Sequence, residues 1–117
     1  MSIRILIIDN EPRWIEFAKS DLGGFKITVA PDIDTALAEL EDDQFDLVIA
    51  SSGYLKILED ISQRFSDKQV VVTTVKPNTQ EALTAYRKGA VRYITKSFHE
   101  QDLLNNVREL VPASSNN

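Results

Sequence analysis

Four polar clusters in this chain each follow an apolar run, and each carries groups that can do chemistry: Asp9-Asn10-Glu11, Ser51-Ser52, Thr74-Val75 and Lys96-Ser97. Asp9 and Glu11 are hard oxygen donors of the kind that hold Mg²⁺. Lys96 is a cation that can pair with either acid. Ser51 and Ser52 are hydroxyls that a serine kinase could phosphorylate, although a serine at the end of an apolar run more often satisfies nearby backbone groups. Neither serine has a base beside it in sequence, since the single histidine, His99, follows the last cluster. One histidine without neighbouring ligands is also a poor metal site, and its place beside Glu100 suits a surface or capping role. The chain has no cysteine, which excludes thiol nucleophiles, disulfides and zinc knuckles and suits a reducing cytoplasm.

The apolar runs that precede the clusters read as strands. Residues 3–8 are mostly Ile and Leu with little alternation, the pattern of a strand buried on both faces of a parallel sheet. Pro12 suits a first helical turn. Trp14, Ile15, Phe17, Ala18 and Leu22 then recur at helical spacing up to Gly23-Gly24, which predicts a helix over about residues 11–22. Trp14 either anchors a partner or covers the sheet. Residues 25–30 form a second strand, and Asp32 or Asp34 caps a helix carrying Ile33, Ala36, Leu37 and Leu40 on one face. Residues 46–50 form a third strand. Only Ser52-Gly53 separates it from a helical pattern made by Tyr54, Leu55, Leu58, Ile61 and Phe65. Residues 70–74 are a fourth strand, Asn78 caps a helix that ends at Gly89, and residues 91–95 are a fifth strand. Leu103, Leu104, Val107 and Leu110 place a last helix over residues 99–111, stopped by Pro112. Residues 1–112 thus make one domain, and 113–117 a disordered tail or the start of a linker to a further domain.

Strands alternating with helices imply an open parallel α/β sheet with helices on both faces. In such sheets the site lies outside the carboxyl ends of the strands, where all four clusters fall. Composition narrows the partners. The run at 5–8 is far short of the ~20 residues a membrane span needs, and no signal-peptide cleavage pattern follows, so a cytoplasmic protein is expected. With 18 acids against 13 bases the net charge is −5, and no basic cluster exceeds Arg87-Lys88, a poor footprint for direct contact with nucleic acid. The acidic stretches at 39–43 and 59–60 read as solvated helix ends that could also steer a basic partner.

Over residues 3–111 the order of elements, and what ends each strand, resembles the receiver domain of two-component response regulators. In that family the first strand ends in an acidic pair, and Ile8-Asp9-Asn10-Glu11 is similar with Asn10 in place of the second acid. The third strand ends in the phosphoacceptor aspartate, and Asp46-Leu47-Val48-Ile49-Ala50-Ser51 puts Ser51 at that position. Thr74-Val75 resembles the hydroxyl and small residue that end the fourth strand. Tyr93-Ile94-Thr95-Lys96-Ser97-Phe98 resembles the aromatic-x-x-Lys-Pro-Phe signature with Ser97 for proline, and Gly89-Ala90 matches the small pair before it. The resemblance implies a five-stranded, flavodoxin-like (βα)5 sheet of order 2-1-3-4-5. It also implies that Thr74 and Tyr93 form a switch pair and that Lys96 opposes Asp9.

The resemblance implies a phosphotransfer that these residues do not support. Transfer from a histidine kinase to a receiver needs a carboxylate nucleophile and Mg²⁺. Ser51 supplies a neutral hydroxyl, and replacing two of three acids by Asn10 and Ser51 leaves a site near neutrality once Lys96 is counted, so Mg²⁺ binding is expected to be weak or absent and no cofactor is expected. Asp9 and Lys96 then read as a permanent ion pair. The expected function is a pseudo-receiver, not an enzyme, that signals in a two-component-type pathway without phosphorylation by binding another signalling protein or output domain. The expected surface is helix four, strand five and helix five, with a homodimer as one outcome. Two alternatives stand beside it. The chain is a phosphorylatable receiver if Asp46 or Asp60 accepts phosphate, against which a strand rising ~3.3 Å per residue keeps Asp46 far from the opposite end. Or it is a flavodoxin-like small-molecule binder, against which the first loop presents acids and a proline where a phosphate loop presents free N–H groups.

Overall fold

The computed structural model describes residues 3–111; Pro112 and the expected tail at 113–117 lie outside the described residues. Five strands form one sheet: β1 (Arg4–Ile8), β2 (Lys26–Ala30), β3 (Leu47–Ser51), β4 (Gln69–Thr74) and β5 (Arg92–Thr95). The order is β2-β1-β3-β4-β5, and every pairing is parallel. Helices α1 (Pro12–Asp21), α2 (Ile33–Asp42), α3 (Ile57–Arg64), α4 (Thr79–Arg87) and α5 (Asp102–Leu110) make the crossovers. Because successive side chains on a strand point to opposite faces, the apolar runs split into two cores. Leu6, Ile8, Val48, Ala50, Val70 and Val72 pack with residues of α2, α3 and α4. Ile5, Ile7, Leu47, Ile49 and Val71 pack with Trp14, Ala18, Leu103 and Val107 of α1 and α5. Both faces being covered is why β1 and β3 read as unbroken apolar runs.

Local signals act where they were read. Asp32, rather than Asp34, caps α2 by accepting from the Thr35 N–H at 2.7 Å, and that bond holds its carboxyl below the ordinary range. Asn78 caps α4 by accepting from the Glu81 N–H at 2.7 Å.

Two helix starts differ from expectation. The chain after β3 makes a 3₁₀ turn, Ser52–Tyr54, and α3 begins only at Ile57, so the helical pattern read from Tyr54 is divided. The Tyr54 hydroxyl, donating to the Pro31 carbonyl at 2.8 Å, holds that turn against the end of β2. The last helix starts at Asp102, three residues after His99. Gln101 before it is left-handed (φ 74°), the one non-glycine with positive φ among the described residues. The cap comes from the first helix instead. The Asp21 carboxylate accepts from the Gln101 N–H at 2.8 Å and from the Leu104 N–H at 3.0 Å, joining α1 to the start of α5.

Candidate functional site

The register aligns the strand ends. Ile8 pairs with Ala50, Ser51 with Thr73, and Thr74 with Thr95, so Asp9, Ser51, Thr74 and Lys96 all lie at one edge of the sheet. Asp9 is 2% exposed. Its Oδ1 accepts from the Glu11 N–H at 3.0 Å, a short turn that leads into Pro12 and fixes Glu11 as the residue before α1. Lys96, whose N–H donates to the Thr74 carbonyl at 2.7 Å, sends its Nζ to both acids: 2.8 Å to Asp9 Oδ2 and 2.9 Å to Glu11 Oε1. The lysine side chain is 5% exposed and that of Glu11 42%, so the cluster has one dry arm and one wet arm. The expected Asp9–Lys96 pair is present, and Glu11 adds a second acid to it. Asn10 is exposed.

The ends of β3 and β4 carry no charge. Ser51 is half-buried, and the Ser52 hydroxyl donates to Thr74 Oγ1 at 3.3 Å. Thr74 is 3% exposed, more enclosed than an ordinary strand-end threonine. Tyr54 lies within the field of this edge. Burial raises its pKa first, the Asp9 and Asp32 carboxylates raise it further, and Lys96 opposes them.

Tyr93 does something the sequence reading missed. Its hydroxyl accepts from the Asn78 N–H at 3.2 Å and donates to Glu81 Oε1 at 2.5 Å. In a capping box the glutamate three residues after the cap reaches back to the cap's own N–H. Here one half is present, from the Glu81 N–H to Asn78 Oδ1, and the Tyr93 phenol is inserted into the other half. Burial and the bond to Glu81 raise the pKa of Tyr93. The Tyr93 N–H in turn donates to the Tyr86 hydroxyl at 3.1 Å. Asn78 was legible as the cap; Glu81 and the tyrosine that joins it from another element were not read.

Other candidates fall away from this edge. Asp46 lies at the opposite end of β3, accepting from the Arg4 N–H at 2.8 Å, and Asp60 lies on α3. His99 sits in the turn before α5. Trp14 is 1% exposed, covered by its own domain rather than offered to a partner.

The family model for the response regulator receiver domain matches residues 5–108. The transcriptional regulatory protein TrcR of Mycobacterium tuberculosis is 26% identical over 97% of this chain, which spans 47% of that protein's length. A response regulator from Thermotoga maritima superposes with a TM-score of 0.87 at 23% identity, covering 94% of this chain and 98% of its own. TrrA from the same organism, solved in complex with Mg²⁺ and BeF, gives 0.82 at 27% identity, covering 93% and 99%. Among the described residues no helix is long and apolar enough to cross a membrane. With strand order and family match in agreement, the chain belongs to the response regulator receiver domain family.

Proposed function

We propose that this receiver domain works without aspartyl phosphorylation, as a binding module in a two-component pathway. The observation that carries the reading is Lys96, whose ammonium is held by both Asp9 and Glu11 beside a β3 end that has Ser51 where the family has its aspartate. An ammonium between two carboxylates cancels one of their two charges and so weakens the pull on a divalent ion. The donors fit Mg²⁺ poorly, since both acids are engaged and the remaining candidates, Asn10 and Ser51, are neutral. Ser51 presents a hydroxyl where an acyl phosphate requires a carboxylate, so that linkage has no place to form at the end of β3.

Receivers pass their state to kinases and output domains through their surface. Here the proposed surface is α4, β5 and α5, where Leu83 and Tyr86, three apart on α4, are each about half exposed. The Tyr93 phenol in the α4 capping box supports this reading, because it holds α4 and β5 in one arrangement with no phosphate needed. The partner is a signalling protein or output domain, or a second copy of this chain.

The test is a backbone NMR titration with Mg²⁺ and then beryllofluoride. Expected is silence at Asp9, Ser51, Thr74 and Lys96. Saturating shifts at millimolar Mg²⁺ that change again on adding beryllofluoride would establish a live phosphoacceptor site and sink the proposal.

A further inference from the structure

The connection from β5 to α5 is a strap laid across α1. Lys96 fastens one end of it to Asp9 and Glu11. At the other end the Asp21 carboxylate accepts from the Gln101 and Leu104 N–H groups. Between these ends Phe98 meets the Trp14 ring edge-on with centroids 5.6 Å apart and lies 5.4 Å from the Phe17 ring. Phe98 is itself 54% exposed while Trp14 is 1% exposed, so it serves as a lid that gains little cover of its own. The strap also ends in strain. Gln101 stands at φ 74°, where the Cβ of an L-residue crowds the following carbonyl, and this kink is where α5 begins, three residues later than its sequence pattern places it.

An alternative start lies within the strap. Ser97-Phe98-His99-Glu100 has the S-x-x-E form of a capping box. The Ser97 hydroxyl already accepts from the His99 N–H at 3.1 Å, the bond that a serine N-cap makes to the second helical residue, and it donates to Asp102 at 2.8 Å. The Asp102 N–H donates to the His99 carbonyl at 3.2 Å, so residues 99–102 already close one turn. We infer that α5 has two starts: the one seen here, clasped by Asp21 with Gln101 left-handed, and a longer one that begins at Phe98 and is capped by Ser97 and Glu100. In the longer helix Gln101 takes an ordinary helical φ. Its N–H and that of Leu104 donate to the Ser97 and Glu100 carbonyls, four residues back, in place of Asp21. Four residues at 1.5 Å each carry Phe98 about 6 Å beyond Asp102 along the helix axis, off Trp14 and Phe17. The exchange uncovers an aromatic surface on α1 as it lengthens α5 by one turn, and a partner that contacts either form selects it by its differential affinity. It does not depend on how the Asp9–Glu11–Lys96 cluster is read.

The test compares two variants of the ¹³C,¹⁵N-labelled protein. Asp21→Ala removes the clasp. Gln101→Val keeps it and disfavours the left-handed backbone, where a β-branched residue is an outlier. Expected in either variant are ¹³Cα shifts moving downfield to helical values at residues 98–101, and stronger acrylamide quenching of Trp14, the single tryptophan. Adding Ser97→Ala to that variant should lower the helical population of these four residues roughly fivefold. Helical shifts in neither variant, helical shifts undiminished by Ser97→Ala, or a Trp14 no more open to acrylamide where residues 98–101 are helical would each overturn the proposal.

Discussion

The two halves of the strand-end edge solve opposite problems. Where β1 and β5 end, two carboxylates share one ammonium, with the Lys96 side chain buried between a buried Asp9 and a half-exposed Glu11. Where β3 and β4 end, Ser51, Ser52 and Thr74 offer neutral hydroxyls, one pair of them joined at 3.3 Å. A site built to recruit a metal and a phosphoryl group keeps surplus negative charge to attract the first and a carboxylate to receive the second. This edge holds two acids against one lysine, a net of one negative charge, on one side and neutral hydroxyls on the other. On the proposed reading, in which the β3 end receives no phosphoryl group, the difference teaches that the lysine at the β5 end is left to hold the two acids alone.

The comparison breaks most visibly at Lys96. Lys96→Met leaves Asp9 uncompensated in a dry site and should cost about 3–5 kcal/mol, read by urea denaturation, whereas the double variant with Asp9→Asn should cost clearly less. Charging the neutral side sharpens the contrast. Ser51→Asp with Asn10→Asp should lose about 1–3 kcal/mol without metal, regain part of it in Mg²⁺, and become labelled by acetyl phosphate in a mass spectrum. If the native chain is labelled equally, the two sides do not differ as described. Thr74→Ala removes a buried hydroxyl and strands that of Ser52, for a cost of about 0.5–1.5 kcal/mol. Glu11→Gln touches the wet arm of the cluster and should stay within about 1 kcal/mol.

The smallest effect is a titration. Tyr54 and Tyr93 have folded pKa values raised above the ordinary 10, so the neutral phenol is the form the fold favours. Their contribution to stability is fully present below pH 10 and is lost as pH rises through the raised folded values. Asp9→Asn should lower the titration point of Tyr54, which feels that carboxylate, and leave Tyr93, which does not, where it was. Ultraviolet absorbance of the tyrosinates, with Tyr93→Phe to assign them, measures both.

The fold was legible because its cues are local. Ile5 to Ile8 and Leu47 to Ala50 are apolar without alternation, which only a sheet covered on both faces requires, and Asp32 and Asn78 cap within three residues of themselves. The strand-end residues were legible for the same reason, as each follows its own strand. What escaped was set by partners distant in sequence. Glu11 and Lys96 are 85 positions apart, and nothing near either says that the lysine would bridge two acids. The 3₁₀ turn after β3 depends on Tyr54 reaching back 23 positions to Pro31. The phenol of Tyr93 joins Glu81 in a capping motif of which Asn78 alone was read from the sequence.

The carboxylate of Asp21 at the head of α5 also bears on the order in which the molecule assembles. A short helix without a local cap is a poor nucleus, and the contacts that complete this one span 80 and 83 positions. Closing so long a loop is entropically costly until the sheet has brought α1 and α5 together, so the last helix is expected to lock late in folding. Damage to that link should therefore appear as faster unfolding with little change in the refolding rate, and amide exchange at Leu104 would time the moment at which the two ends of the domain meet.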